Sequence, residues 1–281
     1  MHYKVAQWWR RGLFVVFTMT AAGGSQAIEL DSLPEMAVDI ITPMPEAYRE
    51  PKFFYGHVGA AMFNTGRYIG SDERVSFPFP LLYFNYNDRV YWSIASVGGW
   101  LLRSDNRRFK FGLLAKGRGG VQGEYTAFNG IEDRDPSVDA GVNILWHTQP
   151  VTIGMSWFYD IGDRSDGQSA NVRLSRRFRL DERWSTTPSL VVDWQDQKLV
   201  DYYYGVDPEE TLFGALEYEG ESSTNLRAAW TLAYRFTKRW SLNGGVSYTR
   251  LGQGLADSPL TIREHNTLVF VGATWSFLRI H

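Results

Sequence analysis

The sequence contains no cysteine, which excludes a disulfide framework, a thiolate metal site and a cysteine nucleophile. Beyond residue 27 it also lacks any apolar run of the roughly 20 residues that a membrane helix needs, because charged or strongly polar residues interrupt every stretch. A chain of this kind enters a membrane as strands or not at all. Basic charge is not in excess either: 29 Lys plus Arg stand against 31 Asp plus Glu. No basic face is therefore expected to displace counterions from phosphates, and nucleic acid is not an expected partner. Histidine is equally scarce. With His2 and His281 at the ends, only His57, His147 and His265 are placed to act as a general base, and no H-E-x-x-H or G-x-S-x-G pattern surrounds them. The carboxylate pairs Glu132-Asp133 and Glu209-Glu210 fall in predicted loops and read as solvated charge. Neither an enzyme nor a cofactor or metal site is expected.

What is present begins with an export signal. Lys4, Arg10 and Arg11 give a positive start, Gly12 to Ala22 a short apolar stretch, and Ser25 and Ala27 the small residues that a signal peptidase requires. Cleavage after Ala27 would remove three basic side chains and leave 26 Lys plus Arg against 31 Asp plus Glu, a formal charge of −5. The expected organisation is a signal peptide at 1–27, an N-terminal periplasmic segment at 28–52 and a β-domain at 53–281.

The chain is rich in aromatics, with 11 Trp, 15 Tyr and 17 Phe. Rings of Trp and Tyr suit the two membrane boundaries, where an apolar face meets lipid and a polar edge meets water. Alternation with period two is more decisive. Between Asn225 and Phe236, Leu226, Ala228, Trp230, Leu232, Tyr234 and Phe236 fall on one face, with Asn225, Arg227, Thr231 and Arg235 on the other. A helix would mix these sets. The next segment repeats the pattern with Trp240, Leu242, Val246 and Tyr248 opposite Ser241, Asn243, Ser247 and Thr249, after a hairpin link at Thr237-Lys238-Arg239.

On this basis strands are predicted near 53–63, 75–86, 90–103, 109–118, 138–147, 151–160, 168–180, 184–195, 224–236, 240–250 and 266–278. Each approaches the length of a tilted strand crossing a bilayer. A single-chain bacterial barrel has an even number of strands, so eleven is one away from closure. Twelve is the favoured count and ten the alternative: residues 90–103 divide near Gly98-Gly99, or 197–223 hold a further strand, or the first candidate lies outside the wall. The fold expected is thus an all-β, transmembrane antiparallel barrel in contact with outer-membrane lipid. A soluble periplasmic β-sandwich would show similar alternation but has less need of Trp and Tyr on its apolar face. Gly272, Trp275 and Phe277 add the glycine and aromatic spacing of a C-terminal insertion signal, although Leu278 to His281 follow it. Counting back from a last strand ending in the periplasm puts 119–137, 161–167, 197–223 and 251–265 outside, and the short links 104–108, 148–150, 181–183 and 237–239 inside.

Particular residues then carry a resemblance. Gly59-Ala60-Ala61, Gly66-Arg67-Tyr68-Ile69-Gly70-Ser71-Asp72, Phe77-Pro78-Phe79-Pro80, Leu114-Ala115-Lys116-Gly117-Arg118-Gly119, Tyr203-Tyr204-Gly205-Val206 and Asp257-Ser258-Pro259-Leu260 occur in that order. In this the chain, over roughly residues 55–277, resembles the MipA/OmpV outer-membrane family. The resemblance implies a barrel that holds a murein-cleaving lytic transglycosylase beside a penicillin-binding murein synthase. It also brings in adhesion, osmotic response and antibiotic sensitivity, the tasks linked to other relatives.

The last two motifs are candidate partner contacts, namely Tyr203, Tyr204, Gly205, Val206, Asp257, Ser258 and Pro259. Clustered tyrosines offer rigid contact area, while the plainer reading is two structured loops. In that reading Gly205 takes positive φ, and Asp257 bonds back to nearby backbone ahead of Pro259. The alternatives to a scaffold are an adhesin, a barrel lipase or protease, and a small channel. For the channel, Arg173, Arg177 and Arg179 share the polar face of one strand, and Arg227 and Arg235 that of another. Such residues either line a narrow anion path or pair with interior carboxylates and fill the lumen.

Overall fold

The computed structural model describes residues 53–128, 130–213 and 216–280, so the expected signal peptide and the 28–52 segment lie outside the described residues. Thirteen strands form one antiparallel sheet in which each pairs with the next, except that β8 and β9 both pair with β10. They are β1 Phe53–Gly66, β2 Arg74–Tyr86, β3 Val90–Ser93, β4 Ser96–Arg103, β5 Phe109–Arg118, β6 Ser137–His147, β7 Thr152–Asp160, β8 Gln168–Ser175, β9 Phe178–Arg179, β10 Trp184–Gln195, β11 Ser223–Arg235, β12 Trp240–Arg250 and β13 His265–Ile280. The two-residue β9 continues the line of β8 against the same neighbour, β10. The wall therefore counts twelve. It closes where β1 pairs with β13 from Phe53↔Ile280 to Asn64↔Val269. This seam removes the free edges of the first and last strands, where in lipid each unpaired backbone group would cost several kcal/mol.

The twelfth strand is not where the glycines pointed. Residues 90–103 do divide, but at Ile94-Ala95, giving the short hairpin β3–β4 with Ser93 opposite Ser96. Gly98 instead lies beneath the Tyr91 ring, where a Cβ would come within 2.4 Å of the phenol. Residues 197–223 add helix rather than strand, and the first candidate is β1, a full member of the wall. Because β3 has only four residues, β2 pairs with it over Tyr83–Tyr86 alone. The rest of that β2 edge has no ladder partner among the described residues, and this stretch carries Pro78 and Pro80, which an unpaired edge tolerates because proline has no N–H to leave unbonded. The last strand also runs past the aromatic signal, to Ile280.

Alternation sorts side chains between lumen and outside as the sequence predicts. Leu190, Val192, Leu226, Trp230, Leu242, Val246, Val269 and Val271 are large, apolar and exposed, while Val191, Arg227, Thr231, Asn243 and Phe270 are buried. Among the described residues no helix is long and apolar enough to cross a membrane. Trp157, Tyr159, Trp194 and Tyr248 stand near one end of the wall, and Phe109, Trp146, Trp184 and Trp240 near the other, as two girdles would. The lumen is filled rather than open. One half holds an aromatic cluster around Phe63, whose ring lies 5.4 Å from Phe270, 5.9 Å from Phe77 and 6.1 Å from Phe79. The chain ends of the wall lie on the side of the short turns, which in such barrels is the periplasmic side.

Candidate functional site

At the opposite, outer end the long connections fold into a cap. Helix α1, Gln197–Tyr204, starts at Asp196, whose carboxylate accepts the Leu199 amide at 3.0 Å. It ends at Gly205, which has φ −65° rather than the positive φ expected. The glycine is required by closeness instead, since a Cβ there would lie 2.4 Å from the Asp201 carbonyl. A second, single-turn helix, α2 Gln253–Ala256, packs beside α1. Leu199, Val200, Tyr203, Tyr204, Leu251 and Leu255 are buried together, and each such side chain contributes about 1.5–3 kcal/mol by leaving water.

The sequence motifs meet one another in this cap. Tyr204 donates to the Ile69 carbonyl at 3.2 Å and Tyr203 to that of Asp135 at 3.3 Å. Ser258 donates to the Tyr204 carbonyl at 2.6 Å and accepts the Leu260 amide at 3.2 Å, taking the part expected of Asp257, which is exposed. Tyr68 donates to the Leu260 carbonyl at 2.9 Å, and the Arg118 guanidinium lies 5.9 Å from the Tyr203 ring. Of the contact candidates, Tyr203, Tyr204, Gly205, Val206 and Ser258 are thus buried within the cap, Pro259 is half-buried and Asp257 is open. Their arrangement is that of structured loops.

The cap also has a buried ion pair that sequence reasoning passed over. The Glu210 carboxylate accepts from the amides of Glu132 at 2.7 Å and Asp207 at 3.0 Å, and from Arg134 at 2.9 Å. Burial works against its charge, but the two amides and the Arg134 guanidinium outweigh it and hold the carboxyl below its ordinary value. Glu210 belongs to one of the two carboxylate pairs read as solvated, and nothing local signals that a residue 76 positions away would face it.

Beneath the cap the lumen is polar on the side away from the aromatic cluster. Arg118 binds Asp139 at 2.6 Å and Arg227 binds Asp193 at 2.6 Å, so part of the predicted arginine face pairs with interior carboxylates. A cavity of about 40 Å³ remains among Lys116, Arg118, Asn171, Asp193, Asn225 and Arg227. It has room for a few waters. His57 meets Ser276 through Nδ1 at 2.8 Å and His147 meets Thr152 through Nδ1 at 3.0 Å, while His265 stacks on Tyr248 at 5.5 Å. Among the described residues no carboxylate orients any of these rings, and no group of three or more His, Asp or Glu is placed to hold a metal. The periplasmic turns are basic in sum: Arg107, Arg108, Arg183, Lys238 and Arg239 outnumber Asp105, Asp181 and Glu182, and all of these but the half-buried Arg107 are exposed.

Residues 58–277 match the family model described as MltA-interacting protein MipA. A protein of Escherichia coli (strain K12) named MltA-interacting protein is 25% identical over 252 residues, covering 86% of this chain and 97% of that one. Another from the same organism, named putative outer membrane protein YiaT, is 24% identical over 226 residues, covering 78% and 90%. Among solved structures, a Pseudomonas aeruginosa FadL homologue covers 90% of this chain and 97% of its own, with 12% identity and a TM-score of 0.37. The sequence relatives are named as interacting or outer-membrane proteins rather than as enzymes.

Proposed function

Since the chain belongs to the MltA-interacting protein MipA family, we propose that this outer-membrane barrel is a scaffold that docks a murein-cleaving lytic transglycosylase and, with it, a penicillin-binding murein synthase. The observation that carries the reading is where the free surface lies. The outer motifs are consumed in building the cap, and the lumen is filled by the Phe63 cluster and by paired charges. A partner that acts on murein comes from the periplasmic side, where the net-basic turns at 104–108 and 236–239, with the exposed Arg183 of the intervening turn, await an acidic surface. Charge complementarity of this sort speeds encounter and fixes orientation.

Affinity capture from detergent-solubilised envelopes under mild crosslinking should enrich a lytic transglycosylase. Arg183→Glu with Lys238→Glu and Arg239→Glu should lower the recovery by about tenfold, because repelling rim charges slow association. Asp207→Asn with Glu209→Gln, on the exposed cap, should leave it unchanged. Recovery of no murein enzyme by the unmodified protein would end the scaffold reading. For the channel alternative, planar-bilayer recordings of the refolded barrel should show no steady conductance, since Val191, Thr231, Asn243, Leu268 and Phe270 are all buried across the lumen. A stable open level would overturn the view of a filled barrel.

A further inference from the structure

The lumen has a second feature that scaffolding does not use. On β10, Ser185, Ser189, Val191 and Asp193 alternate with the outward Trp184, Pro188, Leu190 and Val192. Ser185 lies opposite Arg179 on one side and Ala233 on the other, and facing residues of paired strands share a face. Arg235, two positions beyond Ala233, points the same way. Arg177 donates to the Ser185 hydroxyl at 2.8 Å. Three guanidinium groups are thus gathered about Ser185 at the periplasmic mouth of the lumen, and the charges facing Arg177 are those of Arg179 and Arg235.

The rest of the lumen handles its cations differently. Arg118 has Asp139, Arg227 has Asp193 and Lys110 has Asp88, each within 2.7 Å. Among the described residues, Arg177, Arg179 and Arg235 have no carboxylate partner. The nearest candidates are turned to other work: Asp181 accepts the amides of Arg183 at 2.6 Å and Trp184 at 2.7 Å, and Glu182 offers Arg235 its carbonyl oxygen. Like charges held together repel, and among the described residues no carboxylate offsets that. Above the three arginines, Thr187, Ser189, Thr231 and Asn243 are buried and close the lumen. The result, at the mouth of the barrel, is a basin of positive charge: a hydroxyl and three exposed planar donors whose geometry matches an oxyanion.

We propose that this basin binds the carboxylate or phosphate group of an anionic ligand that enters from the periplasmic side, held by Arg177, Arg179 and Arg235 around Ser185. The site borders the docking turns, but binding to purified protein tests it whether or not a murein enzyme is ever captured. Two sources carry this chemistry, a soluble solute and the headgroup of an anionic lipid. Arg177, Arg179 and Arg235 face the lumen and not the lipid, which favours the solute.

The experiment is calorimetric titration of the refolded barrel with inorganic phosphate and with citrate, in an uncharged detergent at low salt. Saturable one-to-one binding is expected, weakened at least tenfold in the Arg177→Gln, Arg179→Gln, Arg235→Gln variant and unchanged in Arg250→Gln at the outer end. The variant should still show the heat-dependent gel shift of a folded barrel, because the substitutions remove repulsion and no ion pair. Repeating the titration in discs of phosphatidylcholine, with and without phosphatidylglycerol, separates the sources. Loss of phosphate binding only with phosphatidylglycerol assigns the basin to the lipid headgroup, and unchanged binding assigns it to a solute. Absence of saturable binding by the unmodified barrel, or equal binding by the triple variant, overturns the proposal.

Discussion

Replacing Arg134 by leucine should loosen the outer cap by about 3–5 kcal/mol, the usual cost of leaving one member of a buried ion pair without its partner. Arg134 and Glu210 have side chains only 10% and 4% exposed, so water cannot take over. Glu210→Leu should cost a similar amount, since it strands Arg134 and also leaves the Glu132 and Asp207 amides unbonded. The double variant buries no lone charge and should recover part of the loss, the remainder being those two amides at about 1–3 kcal/mol each. Hydrogen exchange over residues 119–128 and 196–213 reads the effect directly. The pH dependence has a definite sign. In the unmodified protein the Glu210 carboxyl is held below its ordinary value of 4.5. Its contribution is therefore complete above that value and is lost as pH falls through the depressed one. Without Arg134 a large favourable influence on the charge is gone, and the deficit of Arg134→Leu should shrink in acid as protonation removes the stranded charge. Equal exchange in the unmodified and single-variant caps would show that the pair holds nothing together.

The barrel was legible because its signal is local and repeated. From Leu226 to Phe236 each residue's side is set by parity, and in the structure those two faces are outside and lumen. What went astray depended on contacts that parity does not carry. Gly98-Gly99 looks like a break, yet Gly98 is there to admit the Tyr91 ring, and the turn falls on Ile94-Ala95, residues with no turn preference of their own. Aromatic abundance suggested membrane girdles, and much of it instead fills the lumen: Phe63, Phe77, Phe79, Tyr83, Tyr91 and Phe270 are all buried. Asp196 ahead of α1 is an ordinary helix start, but with strands repeating on either side the 197–223 segment reads as an outer loop, with a further strand as one alternative and no helix. The cap motifs could be singled out in the sequence. That Ser258 would find Tyr204, or Glu210 find Arg134, could not, because those pairs are set by loops meeting above the barrel.

Leu190→Arg should cost the folded barrel about 2–4 kcal/mol in phospholipid vesicles, the price of an arginine on the lipid face near the midplane of such a barrel. Leu190 stands midway along β10 and is 61% exposed, as is Trp230 on the adjoining strand. On a soluble surface the same replacement would fall within about 0.5 kcal/mol of neutral, so the magnitude itself reports what surrounds the side chain. Val246→Arg, midway along β12 and 42% exposed, should behave alike. The two should add, because β11 separates them and they share no partner. Arg250, on the outward face of β12 but at its outer end, marks where a charge is tolerated, and Val246 lies four residues before it on the same face. Urea unfolding of barrels folded into vesicles measures the two single variants and their combination against the unmodified chain. Values near neutral for both Leu190→Arg and Val246→Arg would mean that the belt does not face lipid.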